Sequence, residues 1–227
     1  ELMLLTIVPP ALIFFTVFEC CGMAWAVAAS FLAIPLDVVC FCLIVAGIKA
    51  LIMRRTPPGV YSVESWFYLR KWAVDTLMSD VSGLASMIYT TIYFPHWLRL
   101  LGAKIGKRAE ISTVVIMTPD LMIIDDESFF ADGSMVGGRR LFRGHVHVDF
   151  NRIGRRSFVG NNALMPIGAD LGDNCLLGVL SSPPGGMESK MPDDSEWLGS
   201  PPSQLPHRQK VGGFDATEIY KPTLRLY

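Results

Sequence analysis

The sequence predicts a membrane α-helical hairpin joined by linking amphipathic helices to an all-β, parallel β-helix of hexapeptide repeats, and three observations predict it. Leu2 to Met53 is almost continuously apolar. Residues 153–182 divide without a gap into the hexads IGRRSF, VGNNAL, MPIGAD, LGDNCL and LGVLSS. The 227 residues are 51% hydrophobic and 18% charged, with a mean hydropathy of +0.37. That is too apolar for an ordinary soluble domain, so part of the chain should lie in lipid.

The apolar stretch is close to twice the ~20 residues that one helix needs to cross a bilayer, so two antiparallel spans are expected, about 2–27 and 33–53. Pro35 and Asp37 suit the middle of a span poorly, which puts the turn near Ala29 to Pro35. Arg54 and Arg55 close the second span; cations there favour the cytoplasmic side, for both ends of the hairpin and for the β-helix after it. Glu19 lies in the first span, where a charge costs roughly 2.5–3.5 kcal/mol on insertion scales, and should pack against other helices of a larger bundle. The chain opens on Glu1 without an initiator methionine or a basic run and ends on YKPTLRLY, so an internal piece of a longer protein is expected rather than a signal peptide.

Thr56 to Val60, TPPGV, reads as a linker. The helical pattern after it carries Trp66, Phe67, Tyr68, Arg70, Lys71 and Trp72. Two readings stand side by side: rings and cations at headgroup level on a bilayer, or a soluble helix covering the end of the next domain. The expected division is 1–55 transmembrane hairpin, 56–100 interfacial and linker helices, 101–205 β-helix, and 206–227 exit segment toward a following membrane element.

In the hexads the first position holds Ile153, Val159, Met165, Leu171 and Leu177, and the fifth holds Ser157, Ala163, Ala169, Cys175 and Ser181. A triangular coil explains the alternation, because the first position points into a narrow core and the fifth has room only for a small side chain. Gly154, Gly160, Gly172, Asn161, Asn162 and Asn174 sit where tight corners are needed. The pattern recurs upstream as IGKRAE and ISTVVI from Ile105, and as IDDESF, FADGSM and VGGRRL from Ile124. The register slips near Pro119, and residues 142–152 leave the repeat as a loop. Each coil buries its inward residues only against its neighbours, so the coils must stack.

Composition also excludes. A formal charge of -1 and a pI near 6.5 offer no basic field for nucleic acid. Cys20, Cys21, Cys40 and Cys42 lie in the apolar quarter and Cys175 on a repeat position, so no disulfide or metal spacing appears and the compartment reads as reducing. Asp125, Asp126 and Glu127 read as ordinary outward corner acids, and no metal site is assigned.

With HWLRLLGAKIGKRAEI at 96–111, the repeats, and EWLGSPP at 196–202, the chain resembles hexapeptide-repeat acyltransferases of the left-handed β-helix class. The left hand is implied by that resemblance. The order of apolar hairpin, YLRKW helix, RLLGAKIGKRAEIS, IGRRSFVGNNA, LGDNCLLGVLSSPP and WLGSPP is more closely similar to the C-terminal membrane region of poly-ε-lysine synthetase-like nonribosomal peptide synthetases, over nearly the whole chain. The resemblance implies sister β-helix domains, forming a pseudo-trimer or homo-oligomer, and carrier and adenylation domains in the same polypeptide. It implies no tightly bound cofactor, and a thioester donor on a phosphopantetheine carrier or coenzyme A.

Acyl transfer to an amine needs a base near neutral pKa, for which histidine is the usual choice. His96 precedes the repeats and His207 lies in the exit tail. His145 and His147 lie in the interrupting loop, where the resembled family commonly carries its catalytic histidine, and are the assigned catalytic pair. Their spacing puts both on one face of an extended segment, with Val146 and Val148 opposite. Asp149 could orient a ring, and Arg139, Arg140 and Arg143 could meet the phosphates of the donor. Asn161 reads as a turn residue or as a cofactor contact. Three functions remain: an acyltransferase-like synthetase domain joining aminoacyl units, a non-catalytic scaffold and membrane anchor of that synthetase, or a stand-alone membrane O- or N-acyltransferase.

Overall fold

A computed structural model describes residues 2–85, 88–115, 118–185, 189–206 and 220. The chain divides into two compact units, residues 1–54 with 70–88, and residues 55–69 with 89–227.

In the first unit α1 (Leu2–Cys21) and α2 (Met23–Ile52) pack on one another. The break falls at Gly22, not between Ala29 and Pro35, and α2 runs unbroken through Pro35 and Asp37. Gly22 has φ 86, a left-handed value that needs no Cβ, whereas an interior proline removes one N–H and can be absorbed as a bend. The buried residues of α2, Ala26, Ala33, Phe41, Val45 and Lys49, lie along one side. Among the described residues α2 alone is long and apolar enough to cross a membrane, and the apolar part of α1, Val8–Cys21, is shorter. Residues from Arg70 onward in α3 (Trp66–Leu84) belong to this unit, burying Lys71, Val74, Leu77, Met78 and Val81 at helical spacing. Lys71 pairs with Asp75 one turn on.

This divides the aromatic, basic start of α3. Trp66 and Trp72 are exposed, but Lys71 is buried, and Phe67 and Tyr68 pack on a core of Leu121, Val146, Val148 and Ile167. Those two rings pack at the corner of the β-helix where the hairpin leaves it.

The second unit begins with a strand where a linker was expected, β1 (Gly59–Ser62). After α4 (Phe94–Leu100) the coils follow. The first comprises β2 (Lys104–Ile105), β3 (Glu110–Ile111) and β4 (Val114–Val115), and the second β5 (Met122–Ile124), β6 (Phe129–Phe130) and β7 (Ser134–Val136). A hairpin, β8 (Arg140–Phe142) and β9 (His145–Val148), then leaves the stack. The third coil holds β10 (Asn151–Ile153), β11 (Phe158–Val159) and β12 (Leu164–Met165), and the fourth β13 (Asp170–Leu171) and β14 (Leu176–Leu177). The last has β15 (Lys190–Met191) and β16 (Glu196–Leu198), on which β17 (Ser203–Gln204) folds back antiparallel.

Parallel pairing builds three flat faces, in the orders β15-β13-β10-β5-β2, β16-β14-β11-β6-β3 and β12-β7-β4. The predicted first positions stand in line, Ile105, Ile124, Ile153 and Leu171 on the first face and Ile111, Phe130, Val159 and Leu177 on the second, and the structure extends the two rows with Met191 and Trp197. Apart from Val115 and Arg140 the fifth positions are buried, and serines there tie coils together; Ser128 Oγ donates to Gly154 O at 2.8 Å and Ser157 Oγ to Gly172 O at 2.7 Å. The register slip comes earlier than Pro119. Val114, not Val115, aligns with the fifth-position Ser134, and Val115 is 42% exposed.

The corner between the first two faces carries a ladder of left-handed residues, Arg108, Glu127, Arg156, Asn174 and Asp194. The Glu127 side chain is fully buried and receives Arg108, Arg156 (2.8 Å) and Arg155 (3.2 Å). Hydrogen bonds from Arg108 and then Arg156 hold its carboxyl down at about 2, with Arg155 assisting and burial opposing. Beside it, Asp126 and Asp173 accept the backbone N–H groups of Lys107 (2.6 Å) and Arg155 (2.8 Å), so each acid caps a neighbouring coil.

Candidate functional site

The interruption expected as a loop at 142–152 is an ordered hairpin starting at Arg140. Arg143 (φ 45) and Gly144 (φ 73) form its two-residue turn, with the positive φ values that match strand twist. Alternation in His-Val-His-Val supplies a strand with one greasy side, and β9 becomes the middle strand of a sheet ordered β1-β9-β8. The sequence reading missed β1; its signal was the short alternation Val60-Tyr61-Ser62 before α3, with Tyr61 now stacked on Phe67 at 3.7 Å between centroids.

Val146 and Val148 are fully buried, while His145 is exposed and His147 half-buried on the opposite side. Pairing places His145 between Phe142 and Ser62, and His147 between Arg140 and Val60. The outward face therefore gathers both histidines with Arg140, Phe142 and Val60. The His145 ring Nδ1–H donates to the carbonyl of Arg143 at 3.0 Å. That bond fixes one tautomer and leaves the Nε2 lone pair as the basic position. The guanidiniums of Arg140 and Arg143 each lie 5.1 Å from the centre of the exposed Phe142 ring.

Other assigned residues are not drawn in. Asp149 does not turn to a ring: its Oδ1 accepts the N–H of Phe150 at 2.7 Å. Asn161 sits at the corner between the second and third faces, whereas the hairpin leaves between the third and first. Its carbonyl accepts Leu180 N–H at 2.9 Å, a coil-to-coil bond. Arg139 is exposed just before β8. His96 is exposed on α4, its ring nitrogen bonded to Ile92 O at 2.9 Å, and His207 lies outside the described residues. Among the described residues, no group of three His, Cys, Asp or Glu is placed to hold a metal ion.

Fold and face together define a hexapeptide-repeat β-helix bearing a histidine hairpin, attached to an apolar helical unit. No family model matches the chain. It is 36% identical over 180 residues, 79% of its length, to the delta-poly-L-ornithine synthetase of Acinetobacter baumannii (strain AB307-0294). The chain is thus homologous to a segment of a poly-amino-acid synthetase, and it spans 13% of that relative's length. Among solved structures, it is similar to a hexapeptide-repeat-containing acetyltransferase from Vibrio cholerae (13% identity, TM-score 0.42, 57% of this chain and 90% of that one). It is also similar to a maltose O-acetyltransferase from Clostridium difficile 630 (14% identity, TM-score 0.44, 69% of this chain and 95% of that one).

Proposed function

We propose that the chain is an acyltransferase-like part of a membrane-bound nonribosomal poly-amino-acid synthetase, aiding transfer of carrier-bound aminoacyl units to an amine. The observation that carries this is the exposed His145 ring on the outward face of the hairpin, held through Nδ1 by the Arg143 carbonyl. In the reaction, Nε2 takes the proton of the incoming amine as its nitrogen attacks the thioester carbonyl. The C–N bond forms, the C–S bond breaks, and the proton passes to the leaving thiolate. His147 would assist beside it, and Arg139, Arg140 and Arg143 would meet the phosphate of a phosphopantetheine arm or of coenzyme A. The α1 and α2 helices would anchor the unit in a membrane, with the left-handed β-helix on the cytoplasmic side and sister β-helices as neighbours.

Replacing both histidines by alanine in the full-length synthetase should lower product formation roughly 10²- to 10⁴-fold, the usual worth of a positioned base. A specific observation favours the second reading, a scaffold and membrane anchor: the carboxylate of Asp149, the nearest acid in sequence, is taken by the backbone and orients neither ring. Undiminished turnover in the double variant would establish that reading in place of the first.

A further inference from the structure

The hairpin presents more than a base. At its tip Arg143 is exposed, and beside it on the outward face Phe142 is 55% exposed, with Val60 on β1 at 61%. An aromatic ring and an aliphatic side chain beside guanidiniums have the composition of a protein-docking centre, where Arg and aromatic residues carry most of the binding energy. From Arg140 to Val148 the sequence has no acidic residue, so the hairpin's own charge is positive, and the nearest acid across the sheet, Glu64, stands at the edge just after β1. A ring contact consumes no N–H donor, and Arg143 is exposed, so its donors remain for a carboxylate or phosphate. The other side of the same sheet is fixed on the core of Leu121, Val146, Val148 and Ile167, so the face is preformed.

We propose that the outward face of β1-β9-β8, centred on Arg143 and Phe142, is the docking surface for an acidic carrier domain, which brings its thioester arm to His145. The proposal rests on the acyl-transfer reading, since it names the partner that delivers the donor. An acidic partner is favoured over a lipid surface because the apolar residues lie among the two histidines of one short sheet, a patch suited to a small protein surface bearing a single arm.

The test uses the chain purified in detergent and a separately expressed, phosphopantetheinylated carrier domain of the same synthetase as probe. Titration should give binding that weakens as salt rises and falls about tenfold or more in Arg143→Glu, and also in Phe142→Ala. Both side chains are exposed, and circular dichroism checks that each variant keeps its fold. Native-like binding by both variants would overturn the proposal. So would phosphatidylserine vesicles binding the native chain, and not Arg143→Glu, while carrier binding is unaltered by the substitution. The His145→Ala/His147→Ala variant of the full-length synthetase reads the chemistry, through turnover. Loss of turnover in that variant with no effect of Arg143→Glu on binding would remove the docking surface and leave the chemistry. The reverse pattern would remove the chemistry and leave the surface.

Discussion

Two corners of the β-helix use arginine in opposite ways. Between the first and second faces, Arg108, Arg155 and Arg156 converge on Glu127, a carboxylate with no exposure of its own. Where the hairpin leaves, between the third and first faces, Arg143 lies over the exposed ring of Phe142 at the outermost point of the turn. A guanidinium closed on a buried carboxylate spends its hydrogen bonds inside the fold. A guanidinium over an exposed ring gains about 0.5–1 kcal/mol and keeps its donors for another molecule. The first arrangement is therefore a device of stability and the second a device of recognition, which separates what substitutions at the two corners should do.

The largest effect belongs to the first corner. Glu127→Gln leaves three guanidiniums around a neutral amide and should lower the melting temperature by several degrees, read by near-ultraviolet circular dichroism; an unchanged melting curve would break the distinction. The same residue sets a pH dependence. Its folded pKa, about 2, lies below the ordinary value of 4.5, so its contribution is fully present above about pH 4.5 and is lost as pH falls toward 2. Denaturant titrations across that window should show the loss in the native chain and a flatter profile in Glu127→Gln.

At the hairpin, Gly144→Val places a β-branched side chain at φ 73 and should cost about 1–3 kcal/mol locally. Because the turn presents the Arg143 carbonyl to His145, the nitrogen chemical shifts of that ring should lose the single-tautomer signature while the coils keep their melting temperature. The smallest effect lies in the coils. Leu180 takes φ 53 and is 67% exposed, in a position filled by Asn162 one coil earlier. Leu180→Asn should raise stability by about 0.5 kcal/mol, measured by chemical denaturation.

The coils were legible in sequence because each hexad states its own orientation. A large residue at Ile153 and a small one at Ser157 can be inward only in one register, and stacking repeats that demand at every level. Elements without a repeated partner were harder to see. The strand at Gly59–Ser62 is defined by β9, which lies far along the chain, so its four residues carried little local signal. The break at Gly22 was hidden for a related reason: proline and aspartate are the usual signs of a turn, yet Pro35 is tolerated within α2 while a lone glycine takes the left-handed angle. At the site, the face shared by His145 and His147 followed from the two-residue period. What the period could not hold was the neighbours of that face, Phe142 and Val60, which only strand pairing supplies.

The hairpin leaves the stack after Val136 and rejoins it at Asn151, and the coil above still lies in register with the coil below, Ile124 beside Ile153. An excursion whose two ends return to adjacent levels of a solenoid leaves the geometry of its host unchanged, whatever its own length or composition. Such a site can be lengthened, recharged or exchanged during descent without a compensating change in the coils. A lineage of tandem copies could in this way diversify its chemistry one hairpin at a time on a common frame.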